Sequence, residues 1–217
     1  MSSYIPQPDA APPKDLCTVY LLRHGEVANA HRVCLNGHFD VELSETGRRQ
    51  ARQLAEAFSR LPVSAVYCSD LQRTIEGARL LAEPHRLTPS ACPELRELSF
   101  GRWEGLSVKE LAEQHPGVLE QRFLHPETFR ADGGESFQEL HDRVVPKFRD
   151  IVEQHLGGLI VILAHGGVNR AILGHLLGFP LSNLFRISQD YAAVNRIQYR
   201  PGLPVVDFIN GTHSLVA

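Results

Sequence analysis

The chain has 217 residues, 43% of them hydrophobic and 22% charged, with a formal net charge of -3 at neutral pH. That length suits one domain with room for a modest insertion, and it is ample for a sizeable core. Near-balanced charge gives no electrostatic basis for binding nucleic acid or an acidic membrane surface, and no apolar run reaches the ~18 residues of a membrane-spanning helix.

The segment from Met1 to Lys14 is rich in Pro, Ala and Ser and lacks the basic-then-apolar order of a secretory signal. Residues 1–15 are therefore expected to form a flexible tail ahead of a single domain over 16–217, with a cytoplasmic location as the default. The four cysteines, Cys17, Cys34, Cys68 and Cys92, form no C-x-x-C pair. A disulfide framework or cysteine-based zinc site is not expected. The eleven histidines show no H-E-x-x-H or similar ligand spacing, so no bound metal is expected either.

Cys17 to Leu22 reads as a short buried strand, ended by Arg23-His24-Gly25. From Ser44, the spacing of Ala51, Leu54, Ala55, Phe58 and Leu61 predicts an amphipathic helix closed by Pro62. Ala65 to Cys68 is a second strand, followed by Ser69-Asp70 as capping residues for a helix that carries Arg73. Two capping boxes follow. Ser107 with Glu110 opens a short helix that stops at Pro116-Gly117, and Ser136 with Glu139 opens a long one running toward His155. After Gly157-Gly158, Leu159 to Leu163 is apolar on both faces and reads as a central strand. His165-Gly166-Gly167 ends it, helical spacing resumes from Val168 to Leu177, and strands are expected at Val194 to Tyr199 and Val205 to Ile209.

Alternating strands and helices predict a three-layer α/β/α sandwich with a largely parallel sheet. The less regular stretch at about 99–135 is expected to form a small helical cap. Ligands in such folds bind outside the carboxyl ends of the strands. Arg23-His24-Gly25, Ser69-Asp70 with Arg73, and His165-Gly166 all fall there.

Two imidazoles, two arginines and a carboxylate at one sheet edge would suit phosphoryl transfer. A neutral imidazole can attack phosphorus and form a covalent intermediate. Guanidinium forks match the charge spread over three equatorial oxygens, which makes Arg23 and Arg73 the candidate clamps. Taken singly, each residue also has a plainer reading: His24 as a hydrogen-bonded strand end, Arg73 as a surface residue on a first helical turn. Glu97, between apolar neighbours, is a candidate proton donor whose partial burial would help it hold a proton. The alternative is an exposed carboxylate paired with Arg96 or Arg102.

Five segments occur in order: Leu22-Arg-His-Gly-Glu26, Ser69-Asp-Leu-Gln-Arg-Thr74, Leu95 to Gly105 with its Phe-Gly-Arg-Trp-Glu-Gly end, Gly133-Gly-Glu-Ser136, and Ala164-His-Gly-Gly167. Together they resemble the histidine phosphatase superfamily, the phosphoglycerate-mutase-like proteins. The similarity runs from about residue 17 onward and is closest to the phosphatase branch that includes α-ribazole and broad-specificity phosphatases. The resemblance implies the family's α/β sandwich and no metal. It implies His24 as the nucleophile, Arg23 and Arg73 as phosphate-binding arginines, His165 as the second histidine and Glu97 as proton donor. Asn36-Gly37 falls where the family's loop approaches substrate, and Gly166 beside the phosphate pocket.

The chain departs from the family pattern at Val27 and Ala30, which stand where a hydroxyl and an asparagine are usual; Asn29 lies one place early. The expected function is metal-independent hydrolysis of a small-molecule phosphate monoester, with no nucleic acid, membrane or cofactor involved. A mutase would need extra cationic contacts, and lysine occurs only at Lys14, Lys109 and Lys147. Mutase-type phosphoryl transfer and a non-catalytic binding domain are the alternatives. Arg48, Arg49 and Arg52 read as a solvated helix face, Trp103 as cap packing, and Phe123, Phe129 and Phe137 as a possible apolar entrance.

Overall fold

The computed structural model describes residues 13–216, so the expected tail, apart from residues 13–15, lies outside the described residues. Six strands form one sheet: β1 (Cys17–Arg23), β2 (Val63–Cys68), β3 (Ser90–Ala91), β4 (Leu159–Ala164), β5 (Val194–Tyr199) and β6 (Val205–Gly211). Their order is β3-β2-β4-β1-β5-β6. The pairs β3-β2, β2-β4 and β4-β1 are parallel, and β1-β5 and β5-β6 are antiparallel. The largely parallel sheet expected from alternating elements is thus present, with an antiparallel edge supplied by the last two strands. The two-residue β3 is too short to leave a periodic signal in the sequence.

Alternation of side chains along β1 divides the core into two layers. Cys17, Val19 and Leu21 pack with Leu140, Val144, Phe148, Val168 and Ile172. These come from α5 (Phe137–Glu153) and α6 (Gly166–Leu176). Tyr20 and Leu22 pack on the other side with Leu54, Phe58, Ala78 and Leu81, from α1 (Glu45–Phe58) and α2 (Gln72–Ala82). The central strand β4 serves both layers through Ile160 and Ile162 on one face and Val161 and Leu163 on the other. No helix of the described residues is long and apolar enough to cross a membrane.

Both capping boxes form as the sequence predicts, at Ser107 with Glu110 and at Ser136 with Glu139. They open α3 (Val108–Gln114) and α5 respectively. A further short helix, α4 (Val118–Leu124), begins just after Pro116-Gly117, where Gly117 takes a left-handed conformation. Trp103, Val108, Val118 and Leu119 pack against the α5–α6 layer. The segment carrying α3 and α4 therefore rests on the main core.

The expected capping of α2 by Ser69-Asp70 is not what the structure shows. The helix starts after Leu71 without a cap from its own flank, and the Gln72 N–H donates to Asp40 Oδ1 at 2.7 Å from a distant loop. Ser69 and Asp70 are engaged by tertiary partners, His165 and Arg96 respectively. A remote carboxylate that satisfies the same free N–H groups leaves both residues available for other bonds. The solvated reading of the α1 arginines holds for Arg48, which pairs with Glu42, Glu45 and Glu76.

Phe148 is 2% exposed and meets Tyr199 edge-on at 6.0 Å between ring centroids. Phe148→Ala is expected to lower unfolding free energy by about 3–5 kcal/mol, from lost burial plus the cavity left behind. Urea denaturation with an unchanged m-value checks this.

Candidate active site

His24, Ser69 and His165 follow the carboxyl ends of β1, β2 and β4, which lie side by side in the sheet. A cavity of about 170 Å³ opens there. Arg23, His24, Asn36, Gly37, Arg73 and Glu97 all line it. Six of the eight sequence candidates thus share one small space. His165 and Gly166 stand beside it. The His165 ring packs against His24 at 5.2 Å between centroids, and a Cβ built on Gly166 would point at the guanidinium groups of Arg170 and Arg23.

His24 is 5% exposed, and its Nδ1 lies 2.7 Å from the Gly25 carbonyl oxygen. A carbonyl can only accept, so Nδ1 carries the hydrogen and Nε2 keeps its lone pair. Burial lowers the pKa of this imidazole well below its ordinary value, and the charges of Arg73 and Arg23 lower it further, against a smaller opposing effect of the Gly25 carbonyl. The result is a neutral imidazole with a bare nitrogen.

Arg73 is 2% exposed, contrary to the surface alternative. Its two terminal nitrogens donate to the carbonyls of Gly37 (2.6 Å) and Phe39 (3.0 Å) and its Nε to His165 Nδ1 (3.3 Å). An arginine can only donate, so His165 Nδ1 accepts and Nε2 carries the hydrogen. That hydrogen goes to Ser69 Oγ at 2.7 Å, and the Ser69 hydroxyl in turn meets Thr74 Oγ1 at 2.7 Å. Thr74 Oγ1 donates onward to main-chain carbonyls of Ser69 and Leu71. The chain of donors has one direction, and it holds His165 neutral. Burial, then Arg73, His24 and Arg23, keep its pKa well below the ordinary range.

Arg23 donates one terminal nitrogen to the Gln189 carbonyl and stacks over the Tyr191 ring at 4.1 Å, while its buried Nε has no partner. A buried donor left open costs free energy, and a ligand oxygen would relieve it. Gln189 is fixed by a buried amide network with Asn169 and Asn195. Tyr191 also lies 5.7 Å from the His24 ring and lines the cavity, as do Phe100, Cys34 and Leu35. Sequence reading did not single out these four; a lone tyrosine in a turn before an edge strand carries no pattern that could have marked it.

Glu97 pairs with neither Arg96 nor Arg102, which bind Asp70 and Asp132. Its two oxygens accept from the Gly167 N–H at 3.1 and 3.0 Å, at the N-terminus of α6, and one accepts from Leu98 N–H. A Cβ at position 167 would collide with Glu97 Oε1, so glycine is required there. The Glu97 main chain is held by Arg143, whose guanidinium also clasps Glu135 of the Gly-Gly-Glu-Ser segment at 2.7 and 2.8 Å. Glu104 gathers the other loops, accepting from His38 N–H, Phe100 N–H and the Ser99 hydroxyl.

The two departures from the family pattern lie off the cavity wall. Val27 is 1% exposed and bridges to Leu43, while Ala30 sits in a 3-10 turn. Asn29 pairs reciprocally with Asn36 through both side-chain amides, at 2.7 and 3.1 Å, and so fixes an amide at the cavity rim. The expected apolar entrance of three phenylalanines does not form. Phe137 is core at 3% exposure, Phe129 packs on Trp103, and Phe123 packs on Phe185.

Residues 19–212 match the histidine phosphatase superfamily (branch 1). The chain belongs to that superfamily. It is 34% identical over 172 residues to phosphoglycerate mutase-like protein 4 of Arabidopsis thaliana, covering 73% of this chain and 70% of that one. Among solved structures it is similar to mycobacterial glucosyl-3-phosphoglycerate phosphatase in complex with VO3, at 27% identity and a TM-score of 0.83, covering 90% of this chain and 99% of that one. The α-ribazole phosphatase of Shigella flexneri gives 26% identity and a TM-score of 0.81, covering 89% and 96%.

The neutral, buried histidines make stability depend on pH. Their folded pKa values lie below the ordinary 6.5, so the unfolded chain binds more protons as pH falls. Stability from this source is complete above the unfolded value and is lost as pH drops toward the folded values. Each histidine is expected to remove up to about 1.4 kcal/mol per pH unit below about pH 6.5. Urea unfolding between about pH 7.5 and 5.5 measures it, and a flat profile would show that the native imidazoles take up protons.

Proposed function

We propose that the chain is a metal-independent phosphatase that hydrolyses a small-molecule phosphate monoester through a phosphohistidine on His24. The observation that carries this reading is the pairing of a bare His24 Nε2 with the unpartnered Arg23 Nε at one cavity. Nε2 attacks phosphorus as the bond to the leaving oxygen breaks, and that oxygen takes a proton from the Glu97 carboxyl. Nδ1–H stays on the Gly25 carbonyl and stabilises the imidazolium that develops. Arg23, Arg73 and His165 face the charge on the equatorial oxygens, with Asn36, Gly37 and Gly166 shaping the pocket. Water then attacks phosphorus, Glu97 takes its proton, the P–N bond breaks, and phosphate leaves with His24 restored.

His165 acts on the phosphoryl group after a change of donor. An oxygen arriving between Arg73 and His24 would draw the Arg73 Nε–H that now points at His165 Nδ1. The Ser69–Thr74 hydroxyls can then reverse and leave the hydrogen on Nδ1. Mutase-type transfer is the second reading, favoured by the likeness to a protein named as mutase-like. Phosphate release separates the two, since a mutase returns an isomeric ester.

His24→Ala is expected to lower phosphate release from any ester by a factor on the order of 10⁴ or more, the usual scale for a removed nucleophile. Glu97→Gln is expected to slow an alkyl phosphate by about 10²–10³ while sparing p-nitrophenyl phosphate, whose leaving group needs no proton. Release assays without added metal, together with acid-labile trapping of the phosphoenzyme, test both. Equal losses on the two esters would remove Glu97 from the role of proton donor.

A further inference from the structure

Two arginines beyond the phosphoryl pocket have no task in the chemistry above. Arg122, on α4, has no hydrogen-bond or carboxylate partner among the described residues. Its guanidinium is instead wedged among rings, with Cζ 4.9 Å from the centre of Phe185, 5.2 Å from Phe100 and 5.7 Å from Phe123. Phe100 is itself part of the cavity wall. Burial holds the Arg122 pKa down to about 10; the Glu97 carboxylate opposes this, and the charge of Arg170 adds to it. Arg122 therefore stands close to both Glu97 and Arg170.

Arg170, on α6, gives its Nε to the Ile187 carbonyl and makes no hydrogen bond through its terminal nitrogens among the described residues. One of them, Nη1, lies 3.1 Å from the point where a Cβ would stand on Gly166, and Arg23 Nε lies 3.6 Å from the same point. Burial and the charge of Arg23 lower the Arg170 pKa, while Glu97 and Asp190 oppose them. Arg23, Arg170 and Arg122 thus run from the phosphoryl pocket toward the helical segment above it. Glu97, already held by the Gly167 and Leu98 N–H groups, is the carboxylate common to this run.

A buried guanidinium without an anion is a costly arrangement, and surrounding rings offset only part of that cost. Positive charge exceeds what one phosphoryl group and Glu97 neutralise. We infer that Arg122 and Arg170 form a second anion subsite beside the phosphoryl pocket, so that the leaving group of the substrate carries its own carboxylate or phosphate. This rests on the phosphatase reading of the His24 site and narrows its substrate class. Arg122 supplies specificity from the wall opposite α6, and Phe100 and Phe185 fix its fork. The rings that the sequence suggested as an apolar entrance instead hold a cation, which favours a charged leaving group over a bulky apolar one.

Matched esters test the subsite. One pair is 3-phosphoglycerate against glycerol 3-phosphate, which differ by a carboxylate. The other is fructose 1,6-bisphosphate against fructose 6-phosphate, which differ by a phosphate. Wild type is expected to favour the more anionic member of at least one pair by about tenfold or more in kcat/KM, and that pair names the second group. Arg122→Gln should erase the preference, mainly through KM. Arg122→Lys should restore part of it, since charge returns without the fork. Lys109→Gln, a change at an exposed lysine of α3, should leave the preference intact. Thermal denaturation of each variant shows whether the fold is retained.

Binding to His24→Ala, measured by titration calorimetry with the same four esters, separates this inference from the reading beneath it. Turnover with no preference in either pair, or a preference that Arg122→Gln leaves untouched, overturns the subsite and leaves the phosphatase standing. No turnover, with tighter binding of the anionic member that Arg122→Gln abolishes, upholds the subsite and overturns the phosphatase. Neither turnover nor differential binding overturns both.

Discussion

A single buried cation organises this site. Arg73 lies on the first turn of α2, yet it is 2% exposed and donates to Gly37 O, Phe39 O and His165 Nδ1. Removing a guanidinium from water costs several kcal/mol or more unless its hydrogens find acceptors. Two carbonyls of the 37–39 loop supply them, so that loop must come back over the end of the sheet. The same loop carries Asp40, which accepts from Gln72 N–H and starts the helix that bears Arg73. Loop and helix therefore hold each other, and the wall formed by Asn36 and Gly37 is a consequence of satisfying one side chain.

The charge of Arg73 is felt by both histidines. No carboxylate touches it directly; Glu97, Asp40 and Glu104 act on it at a distance, and burial pushes its own pKa down. With Arg23, it disfavours a proton on His24 and His165, in the same direction as their burial. Positive surroundings and a neutral imidazole are compatible demands here. The cations that would receive an anionic phosphoryl group also hold the nucleophile in its reactive form. The orphaned Arg23 Nε is the other half of that arrangement, a donor whose acceptor arrives with the ligand.

Around this centre, carboxylates act as fasteners for loops rather than as chemistry. Glu104 collects N–H groups from two loops, and Gly37, at φ +50°, leaves room for it, since a Cβ there would come within 2.6 Å of Glu104 Oε1. Glu135 and Arg143 form a half-buried pair; burial raises the Glu135 pKa, but the bonds from Arg143 and Ser99 N–H outweigh it and leave it lowered. Arg143 also donates to the carbonyls of Glu94, Arg96 and Glu97, which fixes the segment that presents Glu97. The glycine-flanked Glu135 and the Trp103-Glu104-Gly105 stretch thus explain themselves as supports for the Glu97 segment and the cavity loops.

Much was legible from the chain alone, for identifiable reasons. Apolar period and length placed β1, β4, α1 and α5, and the two serine–glutamate boxes marked helix starts because both halves of each bond lie within four residues. Strand ends in a parallel sheet gather whatever follows them, which brought His24, Arg73 and Glu97 to one cavity as expected. Local rules failed where a remote partner offered a better bond. Ser69-Asp70 reads as a cap, but Asp40 fills that role and frees Ser69 for His165 and Asp70 for Arg96. Tyr191, Phe100, Arg122 and Arg170 left no signal, because their meaning lies in what faces them across the fold. The chain by itself determined the elements and the reactive residue types, since these depend on neighbours within a few positions. Tertiary structure alone decided which donors are satisfied and which remain open, because a hydrogen bond or a buried charge is defined by its partner in space.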